Sequence, residues 1–326
     1  MQVTTLEWVI TGLVILGLFV FDFFAHVRTP HEPTFKESGF WSAVYITLAL
    51  LFGLVVAWKW GGTYAGEYYA GFVTEKALSV DNLFIFLIIM STFAVPRIYQ
   101  QKVLLIGIVL ALVMRGVFIA VGAAAINAFS WVFYLFGAFL IYTAVNLLRE
   151  SGHEVEHEER RDSRIVALAK RVLPTTDQYD GDKLVTRIDG KRVVTPLLLA
   201  LLAIGFADLL FALDSIPAIY GLTEQPYLVF TANAFALMGL RQLYFLIGGL
   251  LDRLVYLSYG LSAILAFIGV KLVLHALHEN TLPFINGGEH VNVPEISTVL
   301  SLSVIIGILV IATVASLLKT RRTTSS

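Results

Sequence analysis

The sequence predicts an all-α membrane protein of nine transmembrane helices built around a three-plus-three inverted repeat. Three observations predict it. Apolar residues fill 57% of the 326 positions and charged residues only 14%, whereas soluble domains are about a quarter charged. The charges are also segregated, with ten of the 23 Lys and Arg lying between 149 and 195. Finally, acidic residues recur at matched offsets in two apolar stretches that lie far apart in the chain.

A helix needs about 20 apolar residues to cross the hydrocarbon core. Runs of that kind occur at 6–26, 40–60, 67–92, 102–123, 126–148, 196–220, 227–249, 254–277 and 296–318. The first, Leu6 to Phe24, has neither a basic start nor a small-residue cleavage site, and reads as a retained helix. Chain breakers separate the runs: Pro30 and Pro33, Gly61 and Gly62, Pro96, Pro196, Pro226, and Pro283 with Gly287 and Gly288. The chain divides into 1–39, the first helix and an inner loop; 40–149, helices two to five, with the first repeat at 67–149; and 150–195, a cytoplasmic loop. The second repeat, helices six to eight, follows at 196–278, and 279–326 holds an outer loop, the ninth helix and a cytoplasmic tail.

Basic residues near the ends of short loops set orientation. With the N-terminus outside, the inner face receives Arg28, Lys36, Arg97, Lys102, the ten central residues, Arg253, Lys319, Arg321 and Arg322, and the outer face only Lys59. The tract 278–295 has no Lys or Arg, as an outer loop should. In the central segment Ile165, Leu168, Ala169 and Val172 recur at helical spacing beneath a charged face, which predicts a short interfacial helix. Beyond it, strand formers flank Asp189-Gly190, a strong hairpin signal.

The repeat rests on spacing. Glu75 is followed six and seven residues on by Asp81 and Asn82, and Asp208 by Asp214 and Ser215 at the same offsets. Arg115 precedes Gly122 by the distance at which Arg241 precedes Gly248, and Gly137 and Gly260 each follow a Tyr-rich stretch. Units of three spans must cross the membrane in opposite senses, and in secondary transporters that arrangement places substrate sites near the midplane.

A charged side chain at the bilayer centre costs at least ~2.5–3.5 kcal/mol on insertion scales. Glu75, Ser79 and Asn82 share one helical face, as do Asp208, Ala212 and Ser215, with Asp81 and Asp214 about 100° around from their neighbours. Pro217 frees the carbonyl of Leu213 beside Asp214. Oxygen-only ligation of this kind suits hard divalent cations such as Mn²⁺, Mg²⁺ or Ca²⁺, and gathered carboxylates also exchange protons. The plainer account is that Arg115 and Arg241, also intramembrane, neutralise the acids in structural ion pairs. His153 and His157 read as part of a solvated loop, His275 and His278 as interfacial, and Asp22 with His26 as a local pair. Lys76 either neutralises an acid or snorkels outward.

The chain contains no cysteine, which removes thiolate and Fe–S chemistry. No Ser/His/Asp set, phosphate-cradling loop or mid-membrane His pair is evident, so neither an enzyme nor a permanent cofactor is expected. The basic residues flank the membrane, which gives no basis for a nucleic-acid partner.

The strings GFVTEKALSVDNLFIF (71–86), FGAFLIYTAVNLL (136–148), DLLFALDSIPAIYGLT (208–223) and NAFALMGLRQLYFLIGGLLDRLVYLSYGL (233–261) resemble the TerC family, Alx-type members included. The resemblance covers most of 40–278. It implies a LysE-like three-plus-three architecture, a link to tellurium resistance and manganese export, and metal-pathway roles for Glu75, Asp81, Asn82, Asp208, Asp214 and Ser215. Many members carry a further Glu where this chain has Gly205 and Phe206. The expected function is export of Mn²⁺ or a similar divalent cation across the cytoplasmic membrane in exchange for protons. A competing expectation is a scaffold or assembly factor that meets soluble stress-response proteins through the 150–195 loop.

Cysteines introduced at Ser163 and Asn286 of this cysteine-free chain are expected to label from opposite sides with an impermeant reagent. Labelling of both from one side would exclude the nine-span arrangement.

Overall fold

The computed structural model describes residues 1–27, 31–129, 131–150, 174–176, 178–188, 191–247, 256–280 and 282–324, and for Val80, Asp81, Phe84, Asn127, Glu150, Asp214, Ile247 and 321–324 the backbone alone. It is almost wholly helical. Helix α1 (Thr5–Asp22) begins at Thr4, whose hydroxyl accepts from the Glu7 N–H while the Glu7 carboxylate accepts from the Thr4 N–H. Thr34 and Glu37 form the same capping box on α2 (Phe35–Trp60). A π-helical turn, Phe23–Val27, extends α1 at its C-terminal end.

The remaining helices are α3 (Gly62–Thr92), α4 (Arg97–Ala128), α5 (Val132–Glu150), α6 (Pro196–Tyr220), α7 (Pro226–Leu237), α8 (Leu240–Ile247), α9 (Leu257–His278) and α10 (Thr298–Thr324). Pro196 and Pro226 open α6 and α7, where a missing N–H is harmless. Among the described residues, seven helices are long and apolar enough to cross a membrane: Thr5–Val27, Phe35–Trp60, Arg97–Ile126, Val132–Arg149, Pro196–Tyr220, Leu257–His278 and Thr298–Thr320. Two of the nine expected spans differ from these. The third, α3, is 31 residues long but carries Glu67, Glu75, Lys76 and Asp81. The seventh is broken, because Met238 leaves the helix with extended backbone and Gly239 takes φ +76°.

Burial runs inside out, as it must when lipid is the solvent. Leu13, Leu54, Val113 and Ile311 stand exposed, while Arg115, Glu75 and Asn233 are completely buried. Helix α7 is enclosed along nearly its whole length and packs on α3 and α4, while α6 packs on α3 and α4 and α5 on α9. At the α5–α9 crossing two glycines bring the backbones together. A Cβ on Gly137 would lie 2.9 Å from the Gly269 carbonyl, and a Cβ on Gly269 would lie 3.0 Å from that of Gly137. Gly260, which the sequence pairs with Gly137, meets Ala312 of α10 instead.

The expected hairpin is present, with β1 (Val185–Ile188) antiparallel to β2 (Lys191–Val194), Val185 opposite Val194 and Ile188 opposite Lys191. Its turn, Asp189-Gly190, and the expected interfacial helix, with His153 and His157, lie outside the described residues. Lys102 of α4 anchors this segment by donating to the Asp182 carboxylate at 2.6 Å, which holds that carboxyl below its ordinary range.

Gly137→Ala is expected to destabilise the protein by about 1–3 kcal/mol, because the added methyl meets backbone that cannot yield. Gly12→Ala, with open space around it, should be neutral or stabilising. Thermal unfolding in detergent measures both.

Candidate functional site

The acidic residues of α3 and α6 converge on one arginine. Arg115, in the middle of α4, has no solvent exposure. Its Nε and one terminal nitrogen donate to Asp208 Oδ2 and Oδ1 at 3.1 and 3.0 Å, a bidentate pair. The other terminal nitrogen donates to Glu75 Oε1, and at 3.3 Å to the hydroxyl of Ser215. Ser79, one turn beyond Glu75, donates to the same Glu75 oxygen at 3.4 Å. Three helices thus meet through one guanidinium, with both carboxylates buried.

Two carboxyl groups face one guanidinium among these side chains. Among the described residues Glu75 Oε2 is buried with no hydrogen-bond partner, and so is the hydroxyl of Thr74. An unanswered carboxylate oxygen at this depth is costly, and it is available to a proton or a cation. Asn82 is buried further along the Glu75 face. The backbones of Asp81 and Asp214 belong to α3 and α6, while their side chains lie outside the described residues. Among the described residues no three His, Asp or Glu side chains gather as a metal-ligand group.

Arg241 takes no part in this site. It donates to Asp22 at 2.8 Å and to Gln101 at 2.7 Å, near the C-terminal end of α1 and the N-terminal end of α4. The reason is the break before α8: Arg115 sits in a continuous helix, whereas Arg241 follows Gly239 in a separate short one. Equal spacing from a glycine in sequence therefore does not place the two arginines alike, and Gly248 lies outside the described residues. Asp22 is not simply a local partner of His26. His26 Nδ1 approaches it at 3.2 Å, but Tyr45 of α2 and Gln242 of α8 also donate to Asp22 Oδ1, at 2.7 and 3.2 Å. This second polar cluster joins α1, α2, α4 and α8, and a Trp41 ring stands edge-on to His26. Sequence reasoning misses Tyr45 and Gln101, for no spacing marks them.

At the C-terminal end of α9 His275 pairs with Glu224 at 2.9 Å and His278 with Glu295 at 3.1 Å. The His275 hydrogen bond holds the Glu224 carboxyl, in the loop between α6 and α7, below its usual range. Gly205 faces Leu110, which a Cβ would approach at 2.9 Å, and Phe206 points outward.

The model of the integral membrane protein TerC family matches residues 60–324. The chain belongs to the TerC family. This TerC protein is 54% identical over 317 residues to an uncharacterized membrane protein of Mycobacterium tuberculosis (strain H37Rv), covering 97% of this chain and 80% of that one. It is 40% identical over 312 residues to an uncharacterized membrane protein of Myxococcus xanthus, covering 96% and 92%. A protein named putative membrane-bound redox modulator Alx, from Escherichia coli K12, is 38% identical over 258 residues, 76% of this chain and 78% of that one. No solved structure matches it.

Removing the guanidinium with Arg115→Gln should destabilise this TerC protein by about 3–5 kcal/mol, because two buried carboxylates lose their counter-charge. The triple change Glu75→Gln, Arg115→Gln, Asp208→Asn should recover much of that loss. Chemical denaturation in detergent compares the two; equal losses would show that charge compensation is not what the three residues provide.

Proposed function

We propose that this TerC protein is a transporter that exports Mn²⁺ or a similar hard divalent cation across the cell membrane in exchange for protons. The observation that carries the reading is the convergence of Glu75 and Asp208, from two different helices, on Arg115, with Glu75 Oε2 left unpartnered among the described residues. The guanidinium occupies the place of a cation between two acids. A divalent ion reaching the acidic face has the charge to displace it, with Asn82, Ser215 and the acids Asp81 and Asp214 as further oxygen donors along the same helices. Protons would answer the acids once the ion leaves, so metal and proton alternate on one set of carboxylates.

The inverted three-plus-three arrangement belongs to the same proposal, with α3, α4 and α5 as one unit and α6, α7–α8 and α9 as the other. Its support is a reciprocal packing pattern: α3 packs on α7 and α4 on α6, an exchanged pair, while Gly137 of α5 and Gly269 of α9 touch each other's carbonyls. With α3 and the broken α7–α8 counted as crossings, the chain spans nine times, with its N-terminus outside and its C-terminus in the cytoplasm. The name of the Escherichia coli relative suggests redox modulation; in this chain, without cysteine, such an effect would follow from metal movement and not from thiol exchange.

Sealed vesicles containing the protein should take up Mn²⁺ against an imposed pH gradient, and Asp81→Asn or Asp214→Asn should abolish uptake while leaving the protein inserted. Calorimetry in buffers of different ionisation enthalpy should count protons released on metal binding, with affinity weakening as pH falls from about 8 to about 6. No uptake of any divalent ion, with no proton release, would favour a scaffold acting through the 150–195 loop.

A further inference from the structure

Lys76 follows Glu75 in sequence but does not join its site. Its ammonium crosses to α7 and donates to the carbonyls of Ala236 and Met238, at 2.9 and 3.2 Å. These lie where the helix stops: Leu237 is the last residue of α7, Met238 is extended, and Gly239 turns the chain with a positive φ before α8 begins. The last carbonyls of a helix lack intrahelical partners and carry the negative end of its dipole. Away from water they require a donor, and a cation answers both needs at once. Among the described residues Lys76 has no carboxylate partner, so these carbonyls are its counter-charge.

The helix beyond the break is also held. Helix α8 is eight residues long, and its second and third residues, Arg241 and Gln242, donate to Asp22 of α1, while Arg241 also reaches Gln101 of α4. At the hinge itself, a Cβ on Gly239 would stand 3.1 Å from Tyr45 Cβ, so α2 lies directly against the turn. The short helix is therefore fixed at two points, by Lys76 at its upstream hinge and by Asp22 on its flank. The first of these belongs to the turn of α3 that carries Glu75.

We propose that Lys76 is a positioning residue, a built-in cation seated on the carbonyl end of α7, which fixes the break and through it the placement of α8. The assignment deepens the transport reading, since it ties the turn that bears Glu75 to the inner end of the bundle, but its evidence is local to the break.

The test is amide hydrogen exchange on the purified full-length chain. Lys76→Ala should raise exchange across Leu240–Ile247 by about tenfold or more, with α1 and α10 unchanged. Methylammonium, small enough to enter the vacated space, should restore protection in Lys76→Ala. It should not do so in Lys76→Met, whose side chain fills the space without charge. Unchanged exchange at the break would overturn the proposal. So would a rise spread over every helix, or a local rise that methylammonium leaves untouched, since either assigns Lys76 to packing alone. Because the readout is exchange and not flux, a failure here would leave the exporter reading standing, and a failure of vesicle uptake would leave this result intact.

Discussion

A guanidinium with no contact with water must have its charge answered from within, and at Arg115 that requirement organises the centre of the molecule. Stripping an ion of its hydration costs several kcal/mol even after relaxation, so the arginine can sit in the middle of α4 only if acids are brought to it from elsewhere. Asp208 supplies a bidentate partner from α6 and Glu75 a second from α3. The apolar contacts between these helices gain no hydrophobic driving force when lipid is equally apolar, so packing and polar contacts set the register. The charged contact does so because a shift of one residue on any of the three helices would leave a carboxylate alone.

The same logic is repeated with different partners at the C-terminal end of α1. Asp22 receives hydrogen bonds from Arg241, Gln242 and Tyr45, and these tie α1 and α2, which stand outside the proposed repeat, to the short helix α8. The two arginines look alike in sequence, yet one closes a site shared by three long helices and the other fastens a fragment to the bundle wall. The break between α7 and α8 has its own charged partner, for the carbonyls of Ala236 and Met238 are met by Lys76.

Much of this is legible in the letters of the chain. Spans with an uninterrupted apolar run, such as Phe35–Trp60 and Pro196–Tyr220, announce themselves, and Asp189-Gly190 between strand formers marks the hairpin. The matched offsets of Glu75 and Asp208 point to residues that do come together. The break at Met238-Gly239 is hidden because Leu-Met-Gly-Leu reads as continuous apolar helix, and glycine is common within membrane helices. The partners of Lys76 are hidden for a deeper reason: they are backbone carbonyls, which every residue possesses and no sequence pattern distinguishes. Arg241 is misplaced by counting along a helix that is not continuous. Gly137 finds Gly269 and not Gly260, because the contact is made by backbone atoms at a crossing whose position depends on how α5 and α9 lean together.

On the inverted-repeat reading, in which α4 and the α7–α8 pair are counterparts, their unequal state has a thermodynamic consequence. Helix α4 runs unbroken for 32 residues, whereas α7 and α8 divide the corresponding crossing into pieces of 12 and eight. In a carrier whose halves were true copies, the two open forms would be related by symmetry and equal in energy, and only the gradients would decide which was populated. Here one half is jointed and the other stiff, so the degeneracy is lifted. On the transport reading, the empty protein then rests facing one side of the membrane, and that resting bias is encoded in the backbone at Gly239 before any ion is bound.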